Sequence, residues 1–467
     1  MPPTERCAIV VQRFHPDVIG GAEQLARGYA QLLSGDYSVD VITSRALDAD
    51  RWSNELTDSN TPDANVRILR FDSQPGHTPY WFRLYELLSF HHRLRMYALT
   101  AGQELTGQSR PANESRTVPA DPEDRPAIFP WSIALQEEWI RTQGPYCPGM
   151  FDYLRTHARQ YCFVLFVTYL FAPTYFGIQC TRRIPRLLAP ALHPEPPAYM
   201  PAYRFMARSV DALLWNTASE RELCHRIWGE LPGEVVPPAL NFKTSADARK
   251  SDLLNVTGSR HNDSEFKQSS YVAATMNTGT TQYESDSDET SASIPYILFC
   301  GRIDAGKGCA QLIDFFLEYR RENTQALHLI LTGNLQLRLP TMDDIRYLGY
   351  VAEERKHALM RAALCVVVPS PYESLSYLAL ESLSIGTPVL VNAHSPVLME
   401  HIATGGGLGY VDYESFARAL RRILGDHEWR ANASLNGCSY VQHQYAPERM
   451  RSQMNRVLER IGAPLLS

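Results

Sequence analysis

The chain has 467 residues, long enough for two or three domains with full-sized cores, and its 44% hydrophobic and 21% charged content is that of an ordinary globular protein. A net charge of −6 gives no global attraction to nucleic acid or to an anionic membrane, although basic runs at 91–95 and 182–186 leave a peripheral membrane contact open. The nine cysteines are scattered, with no CxxC pair and no Cys/His cluster at zinc spacing, so no metal site is expected and a reducing cytoplasm suits them.

The N-terminus enters a strand almost at once, over 8–12, and shows no signal-peptide core. A loop over 13–20 leads to a helix on which Leu25, Tyr29, Leu32 and Leu33 mark one face, and a strand over 39–43 follows. This βαβ opening, with glycines between strand and helix, fits a doubly wound α/β domain. Gly20 and Gly21 suit either a tight turn or the close approach of a phosphate or sugar to the helix start. A strand over 66–71, an aromatic-rich helix over 79–99 and a polar exposed loop over 109–130 come next. Helical spacing follows over 151–157. Residues 161–180 carry no charge and approach bilayer length. Pro173, Gly177, Gln179 and several tyrosines argue instead for a buried strand over 163–169, a turn and a short helix.

His193 and Glu195 stand between prolines and therefore lie in a loop. A strand over 212–216 is followed by a helix that Thr217 opens with capping chemistry. Residues 235–240 read as the last strand of this half. The texture changes over 242–293, which is rich in Ser, Thr, Asp and Asn and too poor in large apolar residues to offset ordering. It reads as a disordered insertion between domains.

The second half begins with a strand over 296–300 that runs into Gly301-Arg302. Lys307-Gly308 then precedes a helix with Leu312, Ile313, Phe316 and Leu317 on its buried side. An arginine and a lysine in a turn beside a helix start suit a diphosphate, and the spacing is not that of a Walker loop. Strands over 327–332 and 345–349 and a helix over 354–363 follow. The apolar run 364–368 suits a buried parallel strand, which Pro369, Ser370 and Pro371 end. A helix runs from about 376 to 385, with Gly386 as its stop. Glu373 lies in the loop and Glu381 about two turns inside that helix. The N–H groups of Ser374, Leu375 and Ser376 sit where the helix begins, a natural anion site. Carboxylates on either side of it would take hydroxyls, which together describe a phosphorylated sugar. Beyond this, 397–402 is helical, the glycines of 405–411 form a turn into a strand, and 416–423 and 450–461 have helical apolar spacing.

Glu-Ser-Leu-Ser at 373–376, then Glu381 and Gly-Thr-Pro-Val at 386–389, resembles the signature of the family-four retaining glycosyltransferases. The resemblance is strongest over 296–411 and covers most of the chain outside 109–130 and 242–293. It implies the α/β GT-B fold, with two Rossmann-like domains facing across a cleft. Residues 1–241 would form the acceptor-side domain and 294–467 the sugar-nucleotide domain, with the last helix crossing back to the first. It further implies that Glu381 binds the donor ribose, Glu373 lies at the donor sugar, and the amides of Ser374, Leu375 and Ser376 hold the diphosphate. Gly349-Tyr350-Val351 would approach the nucleobase. Arg302 and Lys307 would neutralise the departing nucleoside diphosphate. Gly20 and Gly21 belong to a Gly-Gly-Ala-Glu run that faces the cleft in relatives. His193 would stand near the reacting sugar, although relatives often carry His-Asp-Glu-Pro-Pro where this chain has Pro194.

The implied activity is hexosyl transfer from a nucleoside-diphosphate sugar to a hydroxyl acceptor, with retention and with no tightly bound cofactor. The acceptor could be a sugar, a lipid-linked glycan or a small molecule, in a cytoplasmic enzyme of glycan or polysaccharide synthesis working free or at the inner membrane face. A sugar-nucleotide epimerase and a catalytically silent nucleotide-sugar-binding protein are the competing readings, since fold does not fix function.

Overall fold

The structure is a computed structural model, and it describes residues 5–16, 18, 20–57, 65–106, 129–238 and 294–467. The expected loop at 109–130, apart from its last two residues, and the expected insertion at 242–293 lie outside the described residues.

Two wholly parallel sheets carry the chain. The first is built from β1 (Arg6–Val10), β2 (Ser38–Ser44), β3 (Val66–Phe71), β4 (Val164–Val167), β5 (Arg186–Ala189), β6 (Ala212–Trp215) and β7 (Gly233–Val235). Its order is β3-β2-β1-β4-β5-β6-β7. The second is built from β8 (Tyr296–Cys300), β9 (His328–Thr332), β10 (Ile345–Tyr347), β11 (Cys365–Val368), β12 (Val389–Asn392) and β13 (Gly407–Tyr410), in the order β10-β9-β8-β11-β12-β13. Both orders reverse direction beside the first strand, between β1 and β4 and between β8 and β11. In doubly wound sheets the ligand crevice opens at that reversal, beyond the strand ends. The loops after β1, β8 and β11 leave the sheets at these reversals.

Each sheet is covered on both faces, which is why its strands read as continuous apolar runs. Ala8 and Val10 point into one core of the first sheet, Cys7 and Ile9 into the other. The second sheet divides Ile297 and Phe299 from Leu298 and Cys300 in the same way. Met450, Met454, Val457 and Leu458 of the terminal helix Pro447–Ile461 pack against the first sheet, not the second. Arg451 meets Asp36 at 3.0 Å, and Tyr37 donates to the carbonyl of Pro464.

The segment 161–180 resolves into β4 and the helix Ala172–Cys180. No helix among the described residues is long and apolar enough to cross a membrane. The last strand of the first sheet is not 235–240 but Gly233–Val235, in register with Leu213 to Trp215. Pro237 and Pro238 follow it, and with no N–H to donate they end the ladder. Three helices went unread in the sequence: Ile133–Gln143, Pro201–Ala207 and His427–Gln444. The aromatic-rich helix runs over Pro79–Thr106, past the expected stop at 99.

Candidate active site

The turn after β8 is shaped by one carboxylate and one glycine. Asp304 accepts the Lys307 N–H through Oδ1 at 2.7 Å, and its Oδ2 lies 2.7 Å from Arg302 Nε. Gly308 holds φ +73° at the N-cap of the helix Cys309–Glu322, a backbone that disfavours any side chain. A Cβ there would also stand 2.2 Å from the Pro369 carbonyl oxygen. This contact seats the β8 turn against the loop after β11, and Lys307 Nζ consequently reaches Glu373 Oε1 at 2.8 Å. Glu373 is nearly buried, while Arg302 remains largely exposed. Arg302, Lys307 and Glu373 thus form one cluster organised by Asp304.

The loop after β11 ends at Ser376, which adopts φ +64° ahead of the helix Tyr377–Ser384. A left-handed serine is unusual and is held only where the surroundings over-determine it. Its side chain does not cap the helix. The N–H groups of Ser374, Leu375 and Ser376 find no acceptor among the described residues, so an anion at that corner would meet several free donors. His401 fixes the loop from below. Its Nε2 donates to the Leu375 carbonyl, and its Nδ1 lies 3.0 Å from the Tyr440 hydroxyl. Burial lowers its pKa, so the ring is neutral and the tautomer follows from these two bonds.

Glu381 lies in a separate cluster. Its Oε1 is 2.8 Å from Lys356 Nζ and 3.3 Å from His357 Nε2, both on the helix Glu353–Ala362. Lys356 also meets Glu353 at 2.7 Å, which puts an ammonium between the two carboxylates. Burial pushes the Glu381 pKa up, but His357 and Lys356 outweigh it and leave the carboxyl below its ordinary value.

In the first sheet, Gly20 caps the helix Gly21–Leu33 and Glu23 lies beneath it, buried. Glu23 Oε1 takes Gln12 Nε2 at 3.1 Å and Arg13 Nε at 3.0 Å. Gly21 has open space where a Cβ would stand. Burial pushes the Tyr377 hydroxyl up, against the opposing charge of Arg27 on the helix Gly21–Leu33, and the buried oxygen has no hydrogen-bond partner among the described residues. No described contact joins Gly20 or Gly21 directly to Lys307 or Glu373. His193 is nearer to that cluster, with its ring 6.3 Å from the Tyr372 ring and inclined by only 24°. Its Nε2 is 3.6 Å from Glu195 Oε1, which accepts the Tyr169 hydroxyl at 2.6 Å. Its Nδ1 is buried without a partner.

Sequence reasoning missed Asp304, Lys356, His357, His401, Glu23 and Tyr372. Asp304 had a signal, an Asp three residues before Lys307 at a helix entry. Lys356 and His357 had none, because their partner lies across the fold.

Residues 284–438 match the family described as glycosyl transferases group 1. A mannosylfructose-phosphate synthase of Agrobacterium fabrum is 32% identical over 114 residues, 21% of this chain and 25% of that protein. An O-antigen chain mannosyltransferase B of Escherichia coli is 28% identical over 34% of this chain and 44% of its own length. The chain thus spans less than half the length of these curated relatives. Among solved structures, a sucrose-phosphate synthase from Thermosynechococcus elongatus superposes with a TM-score of 0.61 at 17% identity, covering 98% of this chain and 99% of that one. The Anabaena protein HepE, in complex with UDP-glucose, gives 0.58 at 13% identity, over 97% and 99%. The two parallel sheets are those of the GT-B fold, and residues 284–438 are similar to the group 1 glycosyl transferases.

Proposed function

We propose that the protein is a retaining glycosyltransferase that moves a hexosyl group from a nucleoside-diphosphate sugar to a hydroxyl acceptor. The observation that carries this reading is the Lys307–Glu373 pair at 2.8 Å beside the unpaired amides of Ser374 to Ser376. The amides, Lys307 and the exposed Arg302 would receive the diphosphate. Glu373 would then face the sugar hydroxyls, and Glu381, its Oε2 unengaged among the described residues, the ribose.

In the reaction the bond from the anomeric carbon to the diphosphate breaks and a bond to the acceptor oxygen forms on the same face. The acceptor proton passes to the leaving phosphate oxygen. Charge builds on the diphosphate as it departs, and fixed donors aimed there lower the barrier, with about 3–4 kcal/mol typical for one such group. A glycosidase would instead need two carboxylates flanking the bond, whereas Glu373 and Glu381 are each paired with a lysine. His193 would contact the reacting sugar or the acceptor.

A uridine nucleotide is the first donor to try, since one structure similar to this chain is a complex with UDP-glucose. Sugars and sugar phosphates are the first acceptors, given the products named for the relatives. The nine free cysteines suit a reducing compartment, and we place the reaction in the cytoplasm. The test is the anomeric configuration of the transferred sugar, read by proton NMR with an α-linked donor. An α product supports retention, a β product overturns it, and an isomerised sugar released without acceptor points to the epimerase.

A further inference from the structure

The loop that carries His193 is held by a residue from a different element. Glu220 sits in the first turn of the helix Ala218–Trp228 and is fully buried. Its own N–H is taken by the Thr217 hydroxyl at 3.0 Å, so its side chain is not needed to begin the helix. The carboxylate turns back instead. Oε1 accepts the Leu192 N–H at 2.6 Å and Oε2 accepts the Asn216 N–H at 2.6 Å. Leu192 directly precedes His193 beyond β5, and Asn216 directly follows β6. One side chain therefore ties the ends of two neighbouring strands and spends both oxygens on backbone. The first two helical N–H groups, of Ala218 and Ser219, go to Glu400 of the helix Pro396–Ile402, at 3.2 Å and 2.8 Å.

A carboxyl in this place is costly to the fold. Burial pushes it up to about 8, against the pull of the Asn216 and Leu192 N–H groups. An apolar residue of similar size would avoid that cost. The His193 ring, by contrast, is poorly held by its own bonds: Nδ1 has no partner and Nε2 stands 3.6 Å from Glu195. Pro194 and Pro196 stiffen the backbone that follows. The ring direction is then set where the backbone is clamped, at Leu192.

We infer that Glu220 is the positioning residue of His193, fixing it through the Leu192 N–H against the Tyr372–Glu373 loop. This rests on the glycosyl-transfer reading for its consequence, although the clamp itself does not. A double-mutant cycle separates positioning from general stability. With a donor that the parent enzyme turns over, kcat and donor KM are measured for His193→Ala, Glu220→Gln and the double variant. The expected result is about a tenfold or greater fall in kcat for each single variant, donor KM within about twofold, and a double variant no slower than His193→Ala. Losses that multiply in the double variant would overturn the inference. Where Glu220→Gln does not fold, Glu220→Asp, which draws the carboxyl back by one methylene, takes its place in the cycle. The activity-independent arm is histidine NMR, with the His193 signal assigned by its loss in His193→Ala. A shift of that signal in the Glu220 variant supports the clamp, and an unmoved signal refutes it. If no sugar nucleotide is turned over by the parent enzyme, the functional reading fails while the NMR arm still decides the clamp.

Discussion

Gly20 and Gly21 look alike in the sequence, yet the structure gives them opposite reasons to exist. A Cβ at Gly20 would stand 2.0 Å from Glu23 Oε2 and 3.0 Å from its Cδ. Glu23 is 1% exposed and is held by Gln12 and by Arg13, whose guanidinium lies 2.9 Å away. Gly20→Ala must therefore displace a buried carboxylate and loosen its charge-assisted hydrogen bonds. Such bonds contribute about 1.5–3 kcal/mol, so the loss in unfolding free energy should fall in that range. At Gly21 a Cβ would meet no heavy atom within 4 Å beyond its chain neighbours and the backbone of its own helix, and the residue is already helical. Gly21→Ala should stabilise by about 0.5–1 kcal/mol through the entropy that glycine loses on folding. Urea unfolding of both variants, with the slope checked for two-state behaviour, measures the difference. A Gly20→Ala protein as stable as the parent would refute the steric argument. A destabilised Gly21→Ala would show that the space is not open. If Gly21→Ala is stable and slow in transfer, the close backbone approach belongs to the ligand.

The remaining predictions concern the second sheet. Arg302→Ala and Lys307→Ala should each reduce turnover about 10²–10³-fold by removing a donor to the leaving diphosphate; Arg302→Ala at near-parent rates would count against the clamp. Glu381→Ala should weaken donor binding, measured by calorimetry, and cost stability because it leaves Lys356 with Glu353 alone. The Glu381 carboxyl is held below 4.5 by His357 and Lys356 against the push of burial, so its stabilisation is fully present above that pH and fades as the pH falls through the lower folded value. Melting curves of the parent and Glu381→Gln should accordingly differ at neutral pH and converge in acid; a constant gap would contradict the pairing.

Much of the second half was legible because its signals are local. The strand at 296–300 was read with its observed bounds, since a short apolar run flanked by Pro295 and Gly301 admits little else. Glu373, Arg302 and Lys307 stood out as charged residues in turns beside helix starts, and the structure brings them into one cluster. What failed was either weakly patterned or non-local. The helix His427–Gln444 is polar on nearly all sides, with only Ala433, Gly437 and Val441 buried, and so shows no apolar stripe. The pairing of Glu381 with Lys356, and that of Glu220 with Leu192, join residues 25 and 28 positions apart through tertiary packing. No periodicity marks such contacts. Gly20 was read as room for a ligand, and the structure adds an internal reason, the buried Glu23.

The most direct test of the account is a donor screen. The purified protein is mixed with UDP-, GDP- and ADP-sugars, and both thermal shift and released nucleoside diphosphate are recorded. A ligand that binds only the folded state at a hundred times its Kd stabilises by about 2.7 kcal/mol, enough for a clear rise in Tm. A sugar-nucleotide transferase with this site should show such a rise with the sugars of one nucleotide, slow diphosphate release without acceptor, and loss of both in Glu381→Ala. No shift and no release with any sugar nucleotide would contradict the transferase reading.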